Sequence, residues 1–205
     1  MADKGANPAK WHLEFDFILA SQSQRRAHLL SLIGFQYSII HSHLDEGCIV
    51  EPDPIRHVTR LSSAKAENVA GQITQGVIIA ADTIVVLDGR ILGKPGSPEH
   101  ACAMLRQLSG RTHEVYTGYT LLQLPQRRLV SEYERSCVHF RELAEWEIHS
   151  YVESKSPMDK AGAYGIQDQS AVFVDRIEGC FYNVVGLPLA HFYATCMDFL
   201  IKKTR

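Results

Sequence analysis

The most regular patterning in the chain lies between residues 76 and 110. Val77-Ile78-Ile79-Ala80-Ala81 is an unbroken apolar run, as expected of a strand covered on both faces. It meets Asp82-Thr83, resumes as Ile84-Val85-Val86-Leu87, turns at the hairpin dipeptide Asp88-Gly89 and returns through Arg90-Ile91-Leu92. Ser97 then caps a helix with Pro98 in its first position, and Ala101, Met104, Leu105 and Leu108 recur at helical spacing before Gly110. Upstream, Phe17-Ile18-Leu19-Ala20 reads as a short buried strand. Ser23 is the N-cap of a helix carrying Leu29, Leu30 and Ile33 inward, Gly34 ends that helix, and Gln36 to Ile40 reads as a second strand. Glu51-Pro52-Asp53-Pro54 launches a further helix with Val58, Leu61 and Val69 on its apolar face and Lys65 among them.

Downstream, Val115 to Leu124 and Leu129 to Phe140 form a long hairpin turning at Pro125-Gln126, followed by a helix near Ala144 to Val152. A second hairpin is expected from Ala171 to Ile177 and Cys180 to Val184, turning at Glu178-Gly179, and a last helix starts at about Pro188. Strands joined by both hairpins and helices predict an α/β fold: a mixed sheet flanked by helices. Residues 1–14 are expected to be a flexible polar leader and residues 15–205 a single domain, with no internal repeat.

Composition narrows the function classes. A formal charge of −2 speaks against a broad nucleic-acid surface, so any anion must be held by a local group of cations. The five cysteines form no C-x-x-C pair and read as reduced thiols of a cytoplasmic protein. No apolar run approaches the ~20 residues needed to span a bilayer, and the leader lacks the apolar stretch of a signal peptide.

The chemistry begins at Ser21-Gln22-Ser23-Gln24-Arg25-Arg26, a small-residue turn between the first strand and the first helix. Unpaired N–H groups and the positive end of the helix dipole favour an anion there, and two guanidinium forks match phosphate oxygens. Asp82 interrupts an otherwise apolar strand, which is costly unless the carboxylate is paired, protonated or on a metal. The competing reading, that the strand stops at Ala81 and Asp82 caps a turn, is equally open. Lys94 follows the partner strand of that hairpin and returns to the Asp82 neighbourhood. Lys65, taken alone, reads as a solvated lysine. Glu46 is a hard oxygen ligand suited to Mg²⁺ beside phosphates. His41-x-His43 has the spacing of a chelating pair on a strand, but no third His or Cys stands at ligand spacing, which speaks against zinc. There is no G-x-S-x-G elbow and no P-loop.

FILASQSQRR, AADTIVVLDGRILGKP, LSGRTHEVYTGY, MDKAGAYGIQ and VVGLPL occur in order from Phe17 to Pro188. This series resembles the Maf family of nucleoside triphosphate pyrophosphatases. The resemblance implies an elongated two-lobed fold with a cleft, related to inosine triphosphate pyrophosphatases, and a cytoplasmic homodimer. It also implies a divalent cation, Mg²⁺ or Mn²⁺, with Asp82 and Glu46 as its ligands. Asp82 matches the family's catalytic aspartate, as proton acceptor or metal ligand. Ser23, Arg25 and Arg26, with Ser21 beside them, match its phosphate-binding turn, and Glu46, Lys65 and Lys94 match its polar cleft residues. Lys160 reads either as a further phosphate contact or as a structural lysine. Arg25, Thr83 and Gln167 resemble the subtype acting on dTTP and UTP. The alternatives are the same chemistry on 7-methyl-GTP or inosine triphosphate, or a nucleotide-binding regulator of cell division without turnover. Two positions depart from the family pattern: Gln24, where Pro is usual, and Asp168, where Gly is common and where an acidic side chain beside the base pocket would shift substrate preference.

Overall fold

A computed structural model describes residues 15–48 and 51–201, so the expected leader at 1–14 lies outside the described residues. A mixed sheet of seven strands organises the chain: β1 (Phe17–Leu19), β2 (Tyr37–Ile39), β3 (Gly76–Leu87), β4 (Arg90–Leu92), β5 (Thr112–Leu124), β6 (Arg128–Phe140) and β7 (Val174–Glu178). The order is β2-β1-β3-β5-β6-β7, with β4 also on β3. Strands β1 and β2 run parallel to β3, and the remaining pairs are antiparallel. Strand β5 covers one edge of β3 from Gly76 to Val86. On the opposite edge β1 covers Val77–Ile79 and β4 covers Val85–Leu87. Between those two partners, residues 80–84 have no strand on that edge among the described residues, and the sheet is notched there.

Helices α1 (Gln24–Leu32), α2 (Pro54–Ala70), α3 (Pro98–Leu108), α4 (Glu145–Glu153), α5 (Phe181–Val185) and α6 (Leu189–Ile201) flank the sheet. Because side chains alternate across a strand, β3 presents two faces, and each is divided in the same way. On one face Val77, Ile79 and Ala81 pack with Leu29 and Leu30 of α1 and Phe192 of α6, while Val85 and Leu87 join a second cluster with Leu105 of α3 and Ile148 of α4. On the other face Ile78 and Ala80 pack under Ala66 and Val69 of α2, and Ile84 and Val86 meet Val58. Thr83 stands at the seam on the first face and Asp82 at the seam on the second. The apolar run therefore builds two lobes, and its polar interruption marks their junction.

Helix α2 lies unusually close to the sheet because Gly118 faces it. A Cβ at Gly118 would stand 2.6 Å from the carbonyl carbon and oxygen of Val58 and 2.9 Å from the amide nitrogen of Thr59, all helix backbone that cannot yield locally. Gly118→Ala is expected to lift α2 and to cost about 3 kcal/mol, the upper part of the usual overpacking range. Urea denaturation measures it; an unchanged midpoint would show that α2 is not seated on this glycine.

Two expectations are corrected. The segment from Cys180 to Val184 is not a returning strand: residues 181–185 form α5, and β7 pairs with β6 instead. Five residues are too few for periodicity to separate helix from strand. Tertiary bonds decide it, since Asn183 Nδ2 donates to the Val115 carbonyl (3.0 Å) and Ser136 Oγ (2.9 Å). The preceding limb is also shorter than expected, because Gln169–Phe173 forms a 3₁₀ turn capped by Asp168 before β7 begins. No helix among the described residues is long and apolar enough to cross a membrane. Cys102, Cys137, Cys180 and Cys196 are unbridged, and the Cys48 side chain lies outside the described residues.

Candidate active site

A cleft of about 1070 Å³ opens at the sheet notch, lined by residues from both lobes. Its walls include the residues that the family resemblance assigned to the site: Ser21, Ser23, Arg25 and Arg26 from the β1–α1 turn, Glu46, Lys65 of α2, Asp82 and Thr83 of β3, Lys94, and Lys160 and Gln167 from the segment after α4. The notch exposes both faces of β3 to one space, which is how adjacent residues of opposite orientation, Asp82 and Thr83, serve a single cleft.

Asp82 does not cap a turn. It lies inside β3, 7% exposed and opposite Gly118. Lys65 is not a solvated lysine either; it is 8% exposed, and its Nζ donates to Asp82 Oδ1 at 2.8 Å and stands 2.9 Å from Glu46 Oε1. A lysine on the inner face of α2 thus gathers two carboxylates, one from the sheet and one from the 3₁₀ turn Glu46–Cys48.

Across the cleft the β1–α1 turn is held by its own hydroxyls. Ser23 caps α1 by accepting from the Arg26 amide at 3.5 Å, and Ser21 Oγ accepts from the Ser23 amide at 3.1 Å. Helix α1 begins at Gln24, a position where Pro is tolerated because its N–H needs no intrahelical partner, so the departure from the family pattern leaves the helix start in place. Arg26 is anchored at three points: Nε donates to the Gly186 carbonyl (2.9 Å), Nη2 to Thr83 Oγ1 (3.0 Å) and Nη1 to Ser21 Oγ (3.4 Å). Burial pushes the Arg26 pKa below its ordinary value, and the field of Asp82 acts against that shift. Arg25 reaches Asp159 at 3.5 Å, and Lys94 is exposed on the cleft wall.

Lys160 lines the cleft, and its ammonium donates to the Ser156 carbonyl (2.5 Å) and to Oδ1 of Asp159 (2.6 Å), which is itself on the cleft wall. Its stem passes over Gly165, where a Cβ would come within 2.6 Å of the Lys160 Cε. Asp168 is a correction: it does not line the cleft. It accepts from the Tyr151 hydroxyl (3.0 Å), Ser156 Oγ (2.7 Å) and the Ser170 amide (2.9 Å). Burial raises its pKa, but those hydrogen bonds outweigh burial and hold it below the ordinary aspartate value. His41 and His43 are exposed in the loop after β2 rather than on a strand, and no group of three His, Cys, Asp or Glu side chains suited to a metal occurs among the described residues.

Sequence reasoning missed Thr117, Asn183 and Gly186, which hold Thr83 and Arg26 from behind. Only the pairing register, which places Thr117 opposite Thr83, would have singled out the first of them.

Asp82 Oδ1 and Glu46 Oε1 converge on one positive centre, the Lys65 ammonium. Two hard carboxylates that converge in this way fit a divalent cation completed by phosphate and water oxygens, a donor set typical of Mg²⁺ with nucleotides.

The model of a family described as "Maf-like protein" matches residues 16–199. A dTTP/UTP pyrophosphatase of Carboxydothermus hydrogenoformans is 52% identical over 175 residues, which cover 85% of this chain and 94% of that protein. A dTTP/UTP pyrophosphatase of Syntrophus aciditrophicus is 48% identical over 181 residues, 88% of each. Among solved structures, a HAM1 protein from Coxiella burnetii superposes with a TM-score of 0.51 at 13% identity, covering 90% of this chain and 99% of that one, a likeness of fold.

Proposed function

The chain belongs to the Maf-like protein family, and on that premise we propose that it hydrolyses dTTP and UTP to the nucleoside monophosphate and pyrophosphate. The observation that carries the reading is the buried Asp82–Lys65 pair, extended by the exposed carboxylate of Glu46, facing the Arg25–Arg26 turn across one cleft. A water attacks the α-phosphorus, its proton passes to the Asp82 carboxylate, and the bond from the α-phosphorus to the pyrophosphate oxygen breaks. Lys65 fixes the carboxylate through its 2.8 Å hydrogen bond and keeps the group oriented while it waits. Ser21 and Ser23 shape the turn, and Arg25, Arg26 and Lys94 meet the negative charge that grows on the leaving pyrophosphate, where a prearranged cation contributes most. Asp82 and Glu46 are the residues that would hold Mg²⁺ or Mn²⁺; when bound, the cation neutralises triphosphate charge.

Gln167 on the cleft wall can donate to a pyrimidine carbonyl and accept from the ring N–H, a pairing that a glutamate cannot make. The relatives named dTTP/UTP pyrophosphatase support the same choice of base. The family resemblance extends the proposal to a cytoplasmic homodimer. Pyrophosphate release measured with UTP, dTTP, CTP, 7-methyl-GTP and inosine triphosphate, with and without Mg²⁺, tests the reading. Release that is fastest with UTP and dTTP and depends on the cation is the expected result. Equal rates on a purine triphosphate would refute the base assignment, and nucleotide binding without release would make the protein a regulator.

A further inference from the structure

Thr83 and Thr117 face each other across β3 and β5 on a single rung of the sheet. Thr117 is wholly buried and does not line the cleft. Its hydroxyl lies 2.9 Å from the Asn183 carbonyl, which can only accept, so the single Thr117 proton is committed there. The 2.9 Å contact between the two hydroxyls must then be donated by Thr83. Arg26 Nη2, which can only donate, completes the row at 3.0 Å. Every bond in the row from Arg26 through Thr83 and Thr117 to the Asn183 carbonyl therefore has one possible direction. Its far end is fixed, since the Asn183 side chain ties α5 to β5 and β6.

The row determines how Arg26 is presented. With Nε on Gly186, Nη2 on Thr83 and Nη1 on Ser21, one N–H remains on each terminal nitrogen. We propose that Thr117 is a positioning residue for the hydrolysis: acting through Thr83, it holds the Arg26 guanidinium so that those two remaining N–H groups meet the leaving phosphates. The proposal rests on the functional reading above. It also fixes what Thr83 offers to the cleft. The Thr83 proton is spent on Thr117, so the hydroxyl presents only a lone pair to a ligand.

Charge on the pyrophosphate grows as its bond to the α-phosphorus breaks, so an arginine held in phase with it acts more on the transition state than on binding. Thr117→Val keeps shape and burial but can neither donate nor accept. It is expected to lower kcat for UTP about tenfold while KM changes less than threefold, and Thr117→Ser is expected to restore the rate. In an Arg26→Lys background Thr117→Val should cost nothing more, because the group it acts on is already gone. Should Thr117→Val fail to fold, Thr117→Cys makes the same comparison through a thiol that is a weak hydrogen-bonding group. Wild-type kcat in Thr117→Val, no rescue by serine, or an equal further loss in the Arg26→Lys background would each overturn the proposal while leaving the pyrophosphatase reading intact. Failure of the unaltered protein to release pyrophosphate would overturn the functional reading, and this assignment with it.

Discussion

Asp82→Asn is expected to lower the rate of pyrophosphate release from UTP by about 10³-fold or more while the protein stays folded. The loss follows from the place of Asp82 inside β3, held by Lys65 at 2.8 Å, whereas the neighbouring Glu46 carboxylate comes from an exposed turn and is not fixed by the sheet. Asn has the shape of Asp and can still accept from Lys65, but it cannot take a proton from water, and removing a positioned base typically costs about 10²–10⁴-fold. Loss of the charge also weakens the carboxylate pair that suits a divalent cation, which adds to the effect. Stability should change little, because Lys65 keeps Glu46 at 2.9 Å as its remaining counter-charge. Steady-state kinetics and a thermal melt of the same sample check both halves. Turnover within tenfold of the unaltered protein would remove Asp82 from the chemistry.

Lys65→Met is expected to damage both activity and fold. Methionine fills much of the same volume on α2, so the change isolates the ammonium. Without it, Asp82 keeps a charge in a site where its side chain is 10% exposed, and the Glu46 carboxylate loses the cation it leans on. Breaking one partner from a buried ion pair costs about 3–5 kcal/mol. Asp82 borders the cleft and regains some water, so about 2–4 kcal/mol is expected, with a melting temperature lower by roughly 5–12 °C for a chain of this size. Activity should fall about 100-fold as the carboxylate loses its fixed orientation. The double variant Lys65→Met/Asp82→Asn supplies the sign test: it should melt above Lys65→Met, because the stranded charge is gone, while remaining inactive. A double variant less stable than Lys65→Met would mean that the pair is not what the site is built on.

The elements with a long, unambiguous period were legible in the chain. Helix α3 starts at Ser97-Pro98 as its cap signals require, and the β3–β4 hairpin turns at Asp88-Gly89. Short segments carry too little local pattern to separate helix from strand. Tyr182-Asn183-Val184-Val185 has strand composition, yet buried amide contacts from Asn183 make it helical. Site residues were legible one by one, as types of side chain in telling places, but their connections were not. Lys65 and Asp82 are 17 residues apart and meet only because Gly118 lets α2 settle on the sheet. Asp168 illustrates the converse: its position next to Gln167 suggested a role in the cleft, and a one-residue step along the chain placed it among Tyr151, Ser156 and Ser170 instead.

The glycine at position 118 ties two properties to one coordinate. The gap between α2 and its rung sets how firmly the helix is clamped, and that same gap fixes how far the ammonium reaches toward its carboxylate. Thermostability and turnover are therefore not separately adjustable on that face. An engineer seeking a hardier protein would work on the lobe under α3 and α4, where Leu105, Ile148 and Phe140 pack away from the cleft and repacking leaves the ion group untouched.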